Sequence, residues 1–110
     1  MAPDTKDNSA AGTGFAAAML AKATTTTVFL KSLSHPARLV LLCQLAEGPA
    51  TVSEMEALVK LPQAEVSKQL ARLRADGLVL SRREGRNIIY SISTASTVRV
   101  VRLLHAEFCS

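Results

Sequence analysis

Apolar side chains recur every three or four positions through Phe15, Met19, Ala23, Thr26, Phe29, Leu30 and Leu33, the spacing of one face of an amphipathic helix. The β-branched run Thr24–Thr27 weakens that helix, because such residues lose χ1 freedom in it. Pro36 suits the first turn of a second helix, and Gly48-Pro49 ends it. Its middle, Leu39-Val40-Leu41-Leu42-Cys43, is apolar on every side, which predicts a central, buried helix. Thr51-Val52-Ser53-Glu54 has capping-box spacing and opens a short third helix with Val52, Met55 and Val59 on one face. After Lys60-Leu61-Pro62 a fourth helix runs from Gln63 to Asp76, with Val66, Leu70 and Leu73 inward and Gly77 at its end.

From there the period changes to two. Residues 78–83 and 88–93 read as strands of a hairpin whose connection is Glu84-Gly85-Arg86-Asn87. Helical spacing returns from Thr94 to Cys109 through Val98, Val101, Leu104, His105 and Phe108, and Val100 and Leu103 widen that stripe. Residues 1–14 are polar and without period, so a flexible tail is expected there and one domain over residues 15–110. The predicted fold class is mainly α with a β-hairpin wing: five helices in a winged helix-turn-helix.

Charge sharpens this picture. Between Lys60 and Tyr90 seven basic residues face three acidic ones, and that excess accounts for the whole net charge of +4. A local basic patch is the footprint of a phosphate-backbone partner. On the fourth helix, Lys68 and Arg72 supply charge for phosphates, while Gln63, Ser67 and Gln69 are short polar groups able to address base edges. Arg82, Arg83 and Arg86 on the wing are placed for backbone or minor groove. Aromatic residues do not interleave with these cations, which excludes the stacking design of single-strand binders, and the expected partner is double-stranded DNA.

A chain of 110 residues holds one modest core, and it shows no nucleophile–base pair, phosphate-cradling glycine loop or metal motif. An enzyme is therefore not expected, nor a cofactor. There is no apolar run of membrane-spanning length and no basic leader at the start, so a cytoplasmic protein with two reduced thiols is expected.

Leu33-Ser34-His35-Pro36-Ala37-Arg38, Gln63-Ala64-Glu65-Val66-Ser67-Lys68-Gln69-Leu70, Leu73-Arg74-Ala75-Asp76-Gly77-Leu78-Val79 and the wing Arg82-Arg83-Glu84-Gly85-Arg86 resemble the ArsR/SmtB bacterial transcriptional repressors. The resemblance spans about residues 15–110. It implies a homodimer built from the first and last helices, bound to an inverted-repeat operator and released by an inducer. Two departures stand out: Pro62 where members often carry a serine cap, and Gln69 where many carry histidine. The third helix lacks the cysteines of the arsenic- and cadmium-sensing members, and the last helix has one histidine where zinc sensors use several ligands. No metal site of those two kinds is expected.

What remains is Cys43 and Cys109, a pairing that resembles the SqrR/BigR branch, whose members sense persulfides. The resemblance implies that inorganic or organic persulfides and polysulfides join the two thiols by a disulfide or a longer sulfur bridge. DNA affinity then falls, and genes of sulfide and sulfane-sulfur metabolism are released. His105, one turn before Cys109, is a candidate for tuning the thiols. Two alternatives stay open from sequence. One is a metal- or metalloid-responsive repressor using Cys43, Cys109 and His105, with copper(I) or arsenic(III) suited to soft thiolates and a partner subunit able to add a ligand. The other is a constitutive DNA-binding protein whose cysteines are inert.

Overall fold

Local signals in the sequence set most element boundaries. The structure is a computed structural model and describes residues 9–109. The elements are α1 (Ser9–Leu33), α2 (Pro36–Leu45), β1 (Ala50–Thr51), α3 (Val52–Val59), α4 (Gln63–Ala75), β2 (Val79–Glu84), β3 (Asn87–Ile92) and α5 (Ala95–Phe108). The chain divides into two units, Met1–Leu30 and Lys31–Ser110. Most of α1 forms the first, and everything from α2 onward lies in the second. Of the tail expected over residues 1–14, residues 1–8 lie outside the described residues, whereas Ser9 onward is already helical. The threonine run is helical, and two of its hydroxyls donate back to helix carbonyls, Thr26 to Lys22 (2.8 Å) and Thr27 to Thr24 (3.0 Å). No helix among the described residues is long and apolar enough to cross a membrane.

In the second unit α2, α3 and α5 each start at a residue whose side chain accepts from an amide of the first turn. His35 caps α2, its Nδ1 accepting from the Ala37 amide at 3.1 Å. The capping box of α3 is complete: Thr51 Oγ1 accepts from the Glu54 amide (3.2 Å) and Glu54 Oε1 from the Thr51 amide (2.8 Å). Pro62 precedes α4 without any side-chain cap, the consequence of having no hydroxyl there. The far end of α4 closes by a double bond pattern, Leu78 N–H to Leu73 carbonyl (2.9 Å) and Gly77 N–H to Arg74 carbonyl (3.0 Å), which requires Gly77 at φ +78°.

The core is built by Leu41, Leu42 and Leu45 of α2, Met55 of α3, Val66, Leu70 and Leu73 of α4, Val79 of β2 and Val101 of α5. One expectation is corrected. α2 is not buried all round: Val40 is 45% exposed and Leu39 and Cys43 are half-buried, because α5 covers that face only in part. The hairpin is tighter than the expected four-residue connection. Pairing continues to Glu84 opposite Asn87, leaving Gly85-Arg86 as the loop, with Gly85 supplying φ +63°. A third strand, β1, joins antiparallel to β3 in the order β1-β3-β2, with Ala50 opposite Tyr90 and Thr51 opposite Ile89.

Candidate functional site

The second unit carries two candidate surfaces. The first is α4 with the wing. Gln63, Ser67, Lys68 and Arg72 are exposed along α4, with Ala64 and Ala71 beside Lys68 keeping the surface low. Arg82, Arg83 and Arg86 are exposed on the hairpin. Adjacent strand residues point to opposite faces, so Arg82 (opposite Ile89) and Arg83 (opposite Ile88) diverge. Arg82 is held by Glu84 at 3.2 Å and Arg72 by Asp76 at 3.3 Å, while Arg83 and Arg86 make no ion pair among the described residues. Lys68 is likewise unpaired there.

Gln69 is a correction. Expected to address base edges, it is only 4% exposed and both ends of its amide are engaged. Its Oε1 accepts from Arg38 Nη1 at 3.1 Å, and its Nε2 donates to Glu65 Oε2 at 2.8 Å. Sequence reasoning missed this set altogether. Arg38 also donates from Nε to the Ser32 carbonyl (2.9 Å), and Ser32 Oγ donates to Asp76 Oδ2 (2.6 Å). The Ser32 hydrogen bond, with Arg72 and Arg38 adding to it against some desolvation, holds the Asp76 carboxyl below the usual range. The one sequence signal was Arg38 closing the His35-Pro36-Ala37-Arg38 motif.

The second surface lies between α2 and α5. Cys43 is half-buried on α2, and Cys109 caps the C-terminus of α5 in an exposed position, its amide donating to the His105 carbonyl at 2.8 Å. Both are free thiols, and both line one cleft of about 650 Å³ with Leu39, Val40, Val101, Arg102 and His105. An adjoining recess of about 320 Å³ is lined by both cysteines again, with Leu39, Leu104, His105 and Phe108. At the other end of the cleft Arg102 Nη2 donates to the Ala46 carbonyl (2.8 Å), tying α5 to the C-terminus of α2 where a cation is favoured. Burial pushes the Cys43 thiol above its ordinary value, and the nearby Cys109 adds to that by charge repulsion. Among the described residues no three His, Cys, Asp or Glu side chains come together in a way that could hold a metal ion.

A helix pair with a basic hairpin beside it defines a winged helix-turn-helix. The profile described as "Bacterial regulatory protein, arsR family" matches residues 35–81. The "Biofilm growth-associated repressor" of Agrobacterium fabrum (strain C58 / ATCC 33970) is 42% identical over 93 residues, covering 84% of this chain and 80% of that protein. The crystal structure of the transcriptional repressor BigR from Xylella fastidiosa superposes with a TM-score of 0.78 at 38% identity, covering 84% of this chain and 94% of that one. A homodimeric winged helix-turn-helix DNA-binding domain from Mycobacterium bovis gives 0.70 at 28% identity, covering 79% and 81%. The chain belongs to the arsR family of bacterial regulatory proteins, a family of transcriptional regulators and not of enzymes.

Proposed function

We propose that this chain is a cytoplasmic, homodimeric repressor that holds an inverted-repeat operator when its thiols are reduced and leaves it when persulfide links Cys43 to Cys109. The observation that carries this reading is that both thiols line one cleft although 65 residues separate them in sequence. Gln63 and Ser67 read bases, and Lys68, Arg72, Arg82, Arg83 and Arg86 hold phosphates. Dimerisation through α1 and α5 would cover apolar side chains exposed on each helix, among them Phe15 and Leu20 on α1 and Leu103 and Phe108 on α5. The relatives named as repressors and as a homodimer support the same assignment.

The chemistry needs no cofactor. A cysteine thiolate attacks the outer sulfur of a persulfide donor, displacing the donor's thiolate and becoming a cysteine persulfide. The second thiolate attacks the cysteine-bound sulfur, closing a disulfide and expelling hydrosulfide. When both cysteines are persulfidated first, attack of one on the inner sulfur of the other leaves a three-sulfur bridge and again expels hydrosulfide. A direct disulfide needs Cα atoms roughly 4.4–6.8 Å apart, so a longer bridge widens the range of separations that can be joined. His105, which lines the same cleft, is the candidate for tuning the thiols. Either bridge draws α5 toward α2, and operons for sulfide and sulfane-sulfur metabolism are the expected targets.

Excess polysulfide should remove both thiols, leaving a disulfide or adding whole sulfur atoms between them by intact mass, and release operator DNA. Cys43→Ser or Cys109→Ser should abolish release while DNA binding persists. Release by stoichiometric copper(I) or arsenic(III) without sulfur addition, or no response to any of these, would overturn the thiol switch. Lys68→Ala should lower the slope of log affinity against log salt by about one; an unchanged slope removes Lys68 from the phosphate contacts.

A further inference from the structure

The polar chain through Gln69 does more than satisfy buried atoms. It begins on α2, the helix that carries Cys43, meets α4 at Gln69 in the middle of that helix and ends at Glu65 in its first turn, α4 being the helix proposed to read bases. Gln69 presents its carbonyl to a cation and its amino group to an anion, so its orientation is fixed: reversed, it would set an amino group against the Arg38 guanidinium and an oxygen against the Glu65 carboxylate. Glu65 is the only acidic residue of α4, and Gln69 pulls its carboxylate along the helix, away from a swing toward incoming phosphates. Arg38 meanwhile is anchored by the Ser32 carbonyl at 2.9 Å and more loosely by that of Lys31 at 3.4 Å, and Ser32 reaches the C-cap of α4 through Asp76. The middle of α4 at Gln69 and its C-cap at Asp76 are thereby referenced to one guanidinium.

We propose that Arg38 is a positioning residue for operator recognition: acting through Gln69, it fixes the register of α4 and the place of Glu65, and so makes base discrimination depend on where α2 stands. The inference rests on the proposed DNA reading and not on the thiol chemistry. It also supplies a route by which strain at Cys43, five residues along the same helix, reaches α4.

The test uses the full-length protein under reducing conditions, with two probes: the duplex that the unmodified protein selects from a random-sequence library, and a random-sequence duplex. Arg38→Lys and Gln69→Leu should each weaken binding to the selected duplex by about tenfold while changing the random duplex by about twofold or less. The double variant should be no worse than either single one, because both break one chain of contacts. Gln69→His keeps one acceptor and one donor and should regain most of the discrimination; with Arg38→Lys it carries the test if Gln69→Leu does not fold. Equal loss on both duplexes would mean a merely structural role and overturn the proposal, as would variants that discriminate like the parent. A parent protein that binds neither duplex overturns the DNA reading itself, a different and recognisable failure.

Discussion

Two helices of similar length are seated very differently. α4 buries Val66, Gln69, Leu70 and Leu73, each at 4% exposure or less, and is held at its middle by Arg38 through Gln69 and at its C-terminal end by Ser32 through Asp76. α5 buries only Thr97 and Val101, and after Val101 it leaves Leu103 59% and Phe108 81% exposed, Phe108 beside the recess lined by both thiols. The difference follows from position in the chain. α4 is enclosed by α2, α3 and β2, whereas α5 is the last element and packs chiefly against α2 and β3. Within one subunit, a firmly enclosed α4 and an α5 less covered toward its thiol-bearing end suit the proposed regulator, in which one surface must keep its shape while the other responds.

The largest expected effect tests that contrast directly. Leu70→Ala removes a fully buried side chain from a closed site and should cost about 2–5 kcal/mol of unfolding free energy. Leu104→Ala, on the half-buried side of α5, should cost about 1 kcal/mol or less. Urea unfolding at matched protein concentration measures both. Similar losses would show that the end of α5 is as firmly packed as α4, and the contrast would fail.

The next concerns the pinning of α4. Asp76 is held below the usual carboxylate range, first by Ser32 and then by Arg72, so its ionised form favours the folded state. The sign follows: this stabilisation is fully present above the unfolded carboxylate value and is lost as pH falls through the lower, folded one. Ser32→Ala should destabilise by about 1–2 kcal/mol at neutral pH, the worth of a hydrogen bond to a charged group. The deficit should shrink toward acid, the unfolding curves of parent and variant converging as pH falls below the ordinary carboxylate range. Parallel curves would remove Asp76 from the account.

Much of this was legible in the sequence where the determinants are local. The capping box of α3, the glycine end of α4 and the charge excess between Lys60 and Tyr90 are patterns within a few residues or simple counts. β1 was not legible, because two residues are too few to show a period and exist as a strand only through β3. Gln69 was read outward because it is polar, although it stands three after Val66 and four before Leu73, on the inward stripe. Its cation partner lies 31 residues away, beyond any local periodicity. The thiol cleft has the same origin: helical spacing places Cys43 and Cys109 each on its own helix, but only the packing of α5 on α2 puts them on one cavity.

The smallest effect is read at the thiols themselves. Cys43 is half-buried, and its thiol is raised first by burial and then by the neighbouring Cys109, so at neutral pH it is less often a thiolate and less often reached. Iodoacetamide should therefore modify exposed Cys109 before Cys43, as read by peptide mass in the reduced protein. Cys109→Ser removes the repelling charge and should move the pH midpoint of Cys43 alkylation down, yet leave it above that of a free thiol because burial is the larger cause. Loosening α5 by Arg102→Ala, which deletes its bond to the Ala46 carbonyl, should speed alkylation of Cys43 with little change at Cys109. If Cys43 instead reacts first, or is indifferent to both substitutions, then the α5 side of the cleft does not govern access to it. The two helices would then differ in packing without differing in what that packing controls.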